Sequence, residues 1–301
     1  APDRVPVEQR GVVDRDEAVG LFSKAIEASP SRGRAYYGRG LAHAYGSPNA
    51  TSVEYERACE DLLAASRLNP ECCQAHWHRA SILAGFLHRY IDAIDAYDEV
   101  VESCPTLLAA RKRRASLLQY VGTLFRSQGK DARADAYYRR ARLDCTFGIQ
   151  HAPNEKKAWF YARRAKVNLL LGAPEESLED AAAARDLDAE VELDLTRAEA
   201  LLATGKPAVA MTALSEALSA KQACPYEAHV LRSELHRQRG AYGKAIAELA
   251  AALRAEELSG RGATGAMYAE EHLAWLLATC AEARIRDGTR SLRLAKSFCR
   301  R

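Results

Sequence analysis

A small residue, a large apolar residue four positions on, a small residue three beyond and a proline five later recur along the chain, and this template constrains the fold more than any other feature. It stands clearest as Ala58, Leu62, Ala65 and Pro70, and repeats as Ala18, Phe22, Ala25 and Pro30. A third copy, Ala93, Tyr97, Val100 and Pro105, carries valine at the third place. Steps of four and three keep these residues on one face of a helix, and the proline stops the helix because it has no N–H to donate and clashes with the preceding turn. The face continues without the proline at Ala134, Tyr138, Ala141, at Ser177, Ala181, Ala184, at Ala210, Leu214, Ala217 and at Ala245, Leu249, Ala252. It degenerates at Ser291, Ala295, Phe298, making eight copies in all.

Upstream of every copy but the first stands another small residue in a helical pattern: Gly40, Ala80, Ala115, Ala165, Ala198, Ser233 and Ala274. Small residues at matching places let two helices approach closely, and Gly129, Gly172, Gly205 and Gly240 fall between them, where a left-handed helix cap is needed. Each unit therefore reads as an antiparallel helix hairpin. Composition agrees, because aromatics are only 7% of the chain and helix-forming residues dominate, so an all-α fold is expected. Charged residues break every apolar run before the roughly 18 residues a membrane span needs.

These slots resemble those of tetratricopeptide repeats, whose pattern of about 34 residues uses the same small, aromatic and proline positions. The resemblance covers residues 12 to 300 and implies a right-handed superhelical solenoid of about seven to eight antiparallel hairpins. Residues 1–301 are expected to form a single solenoid, with sub-blocks at 1–146 and 158–301 joined by a loop at 147–157 and a longer loop at 258–266. The fourth hairpin carries about seven extra residues between Ala115 and Ala134, close to two helical turns, which preserves the buried face. The aromatic slot of the first helices is patchy, filled by Tyr36, His76 or Tyr161 but taken by Asp194 and His229 elsewhere. The tail, with Trp275 and Arg286-Asp-Gly-Thr-Arg290, is similar to the last unit of many bacterial members of the family.

In such a superhelix the first helices line the concave face, and the resemblance implies a row of outward positions. It runs Tyr37 and Leu41, Trp77 and Ser81, Lys112 and Ser116, Ala162 and Lys166, Leu195 and Glu199, Val230 and Glu234, and then Glu271 and Trp275, with Arg113 and Arg163 beside it as candidate groove residues. Family members that clamp a C-terminal carboxylate use lysine and asparagine where this chain has Tyr37, Leu41, Trp77 and Ser81, so that mode is not expected here. Charge alternates along the chain: residues 1–105 hold 11 basic and 16 acidic side chains, 106–166 hold 15 and 4, 167–260 hold 9 and 16, and the remainder 8 and 4. A basic centre of this size attracts an acidic segment.

No phosphate-binding glycine loop, nucleophile elbow or His-Glu-x-x-His helix is present, and neither catalysis nor a cofactor is expected. His76 and His78 flank Trp77, but alternate residues on a helix diverge, so they do not form a metal pair. Eight cysteines without paired spacing, Cys72-Cys73 included, read as small packing residues in a reducing, cytoplasmic setting. Ala1-Pro2-Asp3-Arg4 has neither an initiator Met nor a signal core, which suits a processed chain or a piece of a longer one. The leading expectation is a non-catalytic scaffold or adaptor that holds a protein or peptide, an acidic segment above all. The alternatives are a sensory or docking portion of a larger enzyme, and a nucleic-acid binder using the basic centre.

Overall fold

The computed structural model describes residues 15–70, 72–188, 193–219, 225–259, 263–280 and 282–298, and among them every regular element is a helix. Fifteen helices divide between two compact units, residues 1–153 and 154–301. In the first, α1 (Arg15–Ala28) packs on α2 (Gly33–Tyr45), and hairpins follow: α2 with α3 (Ser52–Leu68), α4 (Cys73–Gly85) with α5 (Tyr90–Ser103), and α6 (Leu108–Ser127) with α7 (Asp131–His151). The second contains α8 (Asn154–Leu170) with α9 (Pro174–Leu187), α10 (Asp194–Ala203) with α11 (Pro207–Ser219), α12 (Pro225–Gln238) with α13 (Tyr242–Ser259), and α14 (Ala263–Thr279) with α15 (Gly288–Phe298). The eight template copies are α1 and the second helices of the seven hairpins, and each unit is a stack of such pairs.

The small slots are where helices meet. Gly40, Ala80, Ala115, Ala165, Ala198, Ser233 and Ala274 are all buried, as are the template residues of α3, α5, α7, α9, α11 and α13. A Cβ on Gly40 would lie 3.0 Å from Leu62 Cγ and 3.2 Å from the Ala58 carbonyl, so the α2–α3 contact is set by the missing side chain. Ala80, Ala165 and Ala198 are fully enclosed. Replacing any of them by leucine is expected to cost about 1–3 kcal/mol through overpacking, measured by urea denaturation. Wild-type stability at all three would contradict the hairpin register.

The turns follow the same logic. Gly129, Gly172, Gly205 and Gly240 have φ between 70° and 76°, each two residues before a second helix, and His88 takes the equivalent place before α5 with φ of 54°. Proline opens α9 and α11, where a missing N–H is harmless. The α2–α3 turn is longer, and Thr51 ends it with a capping box: its hydroxyl accepts from the Glu54 N–H at 3.4 Å while the Glu54 carboxylate accepts from the Thr51 N–H at 2.6 Å.

The lengthened hairpin keeps its face. Gly122 lies seven residues after Ala115 and is buried with it, and the Tyr138 ring covers it so closely that an added Cβ would come within 2.6 Å of Tyr138 Cε1. Both joins expected as long loops are shorter. Helix α7 continues to His151 and α8 starts at Asn154, so 147–157 is mostly helical; Phe147 holds the last turns by stacking on His151 and lying 3.7 Å under the Arg111 guanidinium. In the second join α13 reaches Ser259 and α14 begins at Ala263, while 260–262 lie outside the described residues.

The cysteine expectation needs a correction at one pair. Cys73 opens α4 and Cys104 follows the last residue of α5, so the antiparallel hairpin brings their Cα atoms to 6.2 Å and the two form a disulfide. Cys59 and Cys280 are buried free thiols, Cys145 is buried on α7, Cys72 is free and half-buried, and Cys224 and Cys299 lie outside the described residues. Burial pushes the Cys59 thiol up to about 11.

Candidate protein-binding faces

One residue type recurs with the small slots. Arginine stands immediately before six of them, as Arg39, Arg79, Arg114, Arg164, Arg197 and Arg232. Each reaches an acidic residue on the second helix of its own hairpin: Asp61, Glu99, Asp144, Asp180, Glu216 and Glu248, at 2.6–3.4 Å. Asp61 and Asp180 receive two guanidinium bonds each, in the fork geometry that suits arginine. His76 joins Arg79 on Glu99, and His229 joins Arg232 on Glu248, both at 2.7 Å. The acids follow the first small residue of their helix by three, six or ten positions, which fall on one face. These pairs tie hairpins internally.

The same pairing reduces the basic centre. Arg111 and Arg114 bind Asp144, Arg140 binds Asp98, Arg126 binds Asp131 and Asp135, and Arg164 binds Asp180. The surface charge is therefore smaller than the residue count.

In the first unit the expected row begins with half-buried aromatics. Tyr37 meets His78 edge-on at 5.9 Å, and Tyr45 approaches the same imidazole at 5.8 Å. Trp77 packs edge-on against the buried Tyr97 at 5.7 Å, while the Ser81 hydroxyl lies 3.3 Å from the Tyr97 phenol. Leu41 rests on the same core. Burial raises the Tyr37 phenol above its ordinary value, with Cys72 adding to the rise. Lys112 is half-buried and Arg113 exposed, and the Ser116 hydroxyl donates to the Lys112 carbonyl at 3.0 Å. His76 and His78 diverge as expected, one toward α5 and the other toward α2.

In the second unit Arg163 lies 5.1 Å from the Trp159 ring and Lys166 is exposed. Burial raises the Glu199 carboxyl, Lys166 opposes that rise and Glu227 adds to it. Glu234 is gripped by Arg237 through bonds of 2.8 and 2.6 Å, which hold its carboxyl below the usual range. It also lines a cavity of about 350 Å³ between α12 and α14, with Trp275 on its rim. The row thus falls into two sets, Tyr37 to Ser116 in one unit and Arg163 to Glu234 in the other.

A second face of the first unit was not anticipated. Tyr55 and Phe86 stack at 4.3 Å, Tyr90 meets Tyr120 at 4.9 Å, and Ile91, Leu124 and Phe125 border a cavity of about 450 Å³ near the hairpin turns. Phe86, Ile91 and Tyr120 are each 47% exposed, so this edge presents apolar surface to water beside the Arg89–Asp92 ion pair. Its signal in the sequence was weak, because the residues lie outside the template.

Among the described residues no helix is long and apolar enough to cross a membrane. No curated protein matches the chain in sequence. A tetratricopeptide repeat family model matches residues 195–259, the span of α10 to α13. A tetratricopeptide repeat protein from Parabacteroides merdae is similar in structure, at 16% identity over 86% of this chain and 91% of that one, with a TM-score of 0.51. Human IFIT1, solved as a dimer with m7Gppp-AAAA, is similar at 13% identity over 93% of this chain and 68% of its own, with a TM-score of 0.52. At such identities the likeness speaks for the fold. Repeated hairpins, buried small slots and the matched segment agree: residues 195–259 match the tetratricopeptide repeat family, and the described hairpins share its helical-repeat fold.

Proposed function

We propose that the chain is a non-catalytic scaffold that holds protein segments on the rows formed by its first helices. The observation that carries this reading is the set of aromatic, aliphatic and polar side chains at matching places on successive first helices, partly buried and with no role in the internal ion pairs: Tyr37, Leu41, Trp77 and Ser81. Half-buried aromatics contribute binding energy with little loss of side-chain freedom, because the core already holds them. In the first unit Lys112, Arg113 and Ser116 follow, and this row suits an extended or helical acidic segment with an apolar anchor toward Tyr37 and Trp77. In the second unit the row runs from Arg163 and Lys166 to Glu199 and Glu234.

The test uses purified chain and fluorescent peptides that pair a leucine anchor with four glutamates, four lysines or four serines. Changing Lys112 and Arg113 to glutamate is expected to slow association of the glutamate peptide about tenfold at low salt and to flatten its salt dependence. Trp77→Ala is expected to raise the dissociation rate, with thermal melting as the check on folding. Unchanged association in the charge-reversed variant would remove this site. A nucleic-acid reading draws on the basic centre and on the fold shared with IFIT1, but it needs many cations available to phosphates, and five arginines there are held by carboxylates. The Cys73–Cys104 bond favours an oxidising compartment over the cytoplasmic setting expected from the sequence, and recovery of both thiols reduced from cells would restore that setting.

A further inference from the structure

The cavity between α12 and α14 has an unusual lining for a repeat surface. Its floor is apolar, made by Leu249 of α13 and Leu276 of α14, both almost fully buried. Trp275 stands on its rim with 54% of its surface exposed, although an indole of that size usually hides. Two carboxylates border it, Glu234 from α12 and the exposed Glu271 from α14, one helical turn before Trp275. The one guanidinium in the lining, Arg237, is engaged by both oxygens of Glu234. The remaining titratable neighbour, His272, donates Nδ1–H to the Tyr268 carbonyl at 2.9 Å and stacks on the Tyr268 ring at 3.9 Å. With Arg237 offsetting one carboxylate, Glu271 leaves the site negative.

We propose that this cavity binds one basic side chain of a protein partner, a lysine or arginine whose stem lies on Leu249, Leu276 and the Trp275 ring while its charged head meets Glu271 and Glu234. An aliphatic stem with a cationic tip matches an apolar floor with an anionic rim. The indole face adds a cation–π contact that an acidic or uncharged side chain of the same length cannot make. The volume of about 350 Å³ accommodates such a side chain with its hydration, and Glu234 is held in place by its double bond to Arg237. This site lies in the second unit and is independent of the acidic-segment reading given for the first. Together they describe a chain that holds segments of opposite charge in different places.

The test labels the chain with 5-fluorotryptophan, which gives separate fluorine signals for Trp77, Trp159 and Trp275, and assigns the last with Trp275→Phe. Three glycine-serine decapeptides are titrated in, each carrying four lysines, four norleucines or four glutamates. The lysine peptide is expected to shift the Trp275 signal saturably, and Glu271→Gln is expected to weaken that binding at least fivefold. Glu271 is exposed, so this variant keeps its fold, and its melting temperature is the check. The Lys112→Glu, Arg113→Glu variant is expected to bind the lysine peptide unchanged, which separates this site from the one in the first unit. An equal shift with norleucine would show a purely apolar pocket, a preference for glutamate would show that Arg237 and His272 govern it, and no shift with any peptide would show that it takes no side chain. Each of these three results overturns the proposal.

Discussion

Asp144→Ala is expected to destabilise the first unit by about 3–5 kcal/mol, the range for removing one partner of a buried ion pair. Asp144 is 1% exposed and accepts from Arg114 at 2.8 and 2.6 Å and from Arg111 at 3.1 Å. Without it, two guanidiniums face each other at the α6–α7 contact, and the remaining Arg114 partner, Asp98, already serves Arg140. Water reaches the site poorly, so it cannot replace the lost carboxylate. Equilibrium urea denaturation reads the loss. Asp98→Ala is the comparison, expected to cost about 1 kcal/mol because Asp98 is more exposed and its interactions are screened. Equal, small effects for the two would show that Asp144 is not the centre of the network.

Reduction of the Cys73–Cys104 bond is expected to cost about 3–4 kcal/mol, from the chain entropy regained when a loop closed over a separation of 31 residues is opened. The cross-link joins the open end of the α4–α5 hairpin, where no turn holds the helices together. Thermal melting with and without a phosphine reductant measures the effect, and Cys104→Ser should melt like the reduced protein and ignore the reductant. A wild-type midpoint that does not move, with both thiols shown free by mass, would remove the bond from the account of stability.

The sequence reached the hairpins because burial and spacing are the same fact seen twice. Ala58, Leu62 and Ala65 could be placed on one face from their intervals, and close packing then requires Gly40 opposite them. The left-handed turns at Gly129, Gly172, Gly205 and Gly240 were legible for a similar reason, whereas His88 was not, since histidine carries no strong turn signal. The helical stretch from Phe147 to His151 escaped because Gly148 and Pro153 mark a break locally, while the Arg111 contact that sustains the helix comes from another element. The disulfide escaped because Cys73 and Cys104 look unrelated until the hairpin register is known.

Electrostatics was the least legible part. The run Arg111-Lys112-Arg113-Arg114 reads as one basic block, yet Arg111 and Arg114 turn inward to Asp144 while Arg113 is exposed. The arginine before six of the small slots was visible in the sequence, but its meaning depends on an acid three, six or ten residues after the first small residue of the next helix's template. The resemblance to tetratricopeptide repeats implied the row of first-helix residues. It could not show that Glu234 is bound to Arg237 or that Trp275 stands over a cavity.

The arginine pairs bear on how such a chain can change over generations. Each of six hairpins contains both members of its own pair, so duplicating or deleting a whole hairpin strands no buried charge at that place. Gene-level copying can then vary the number of repeats with little electrostatic consequence. Asp98 and Asp194 mark exceptions, because Asp98 on α5 binds Arg114 and Arg140 of the following hairpin and the buried Asp194 on α10 binds Arg185 of the preceding one. The α4–α5 and α6–α7 hairpins would have to be inherited as a block, and recombination within the first unit should spare the boundary between them.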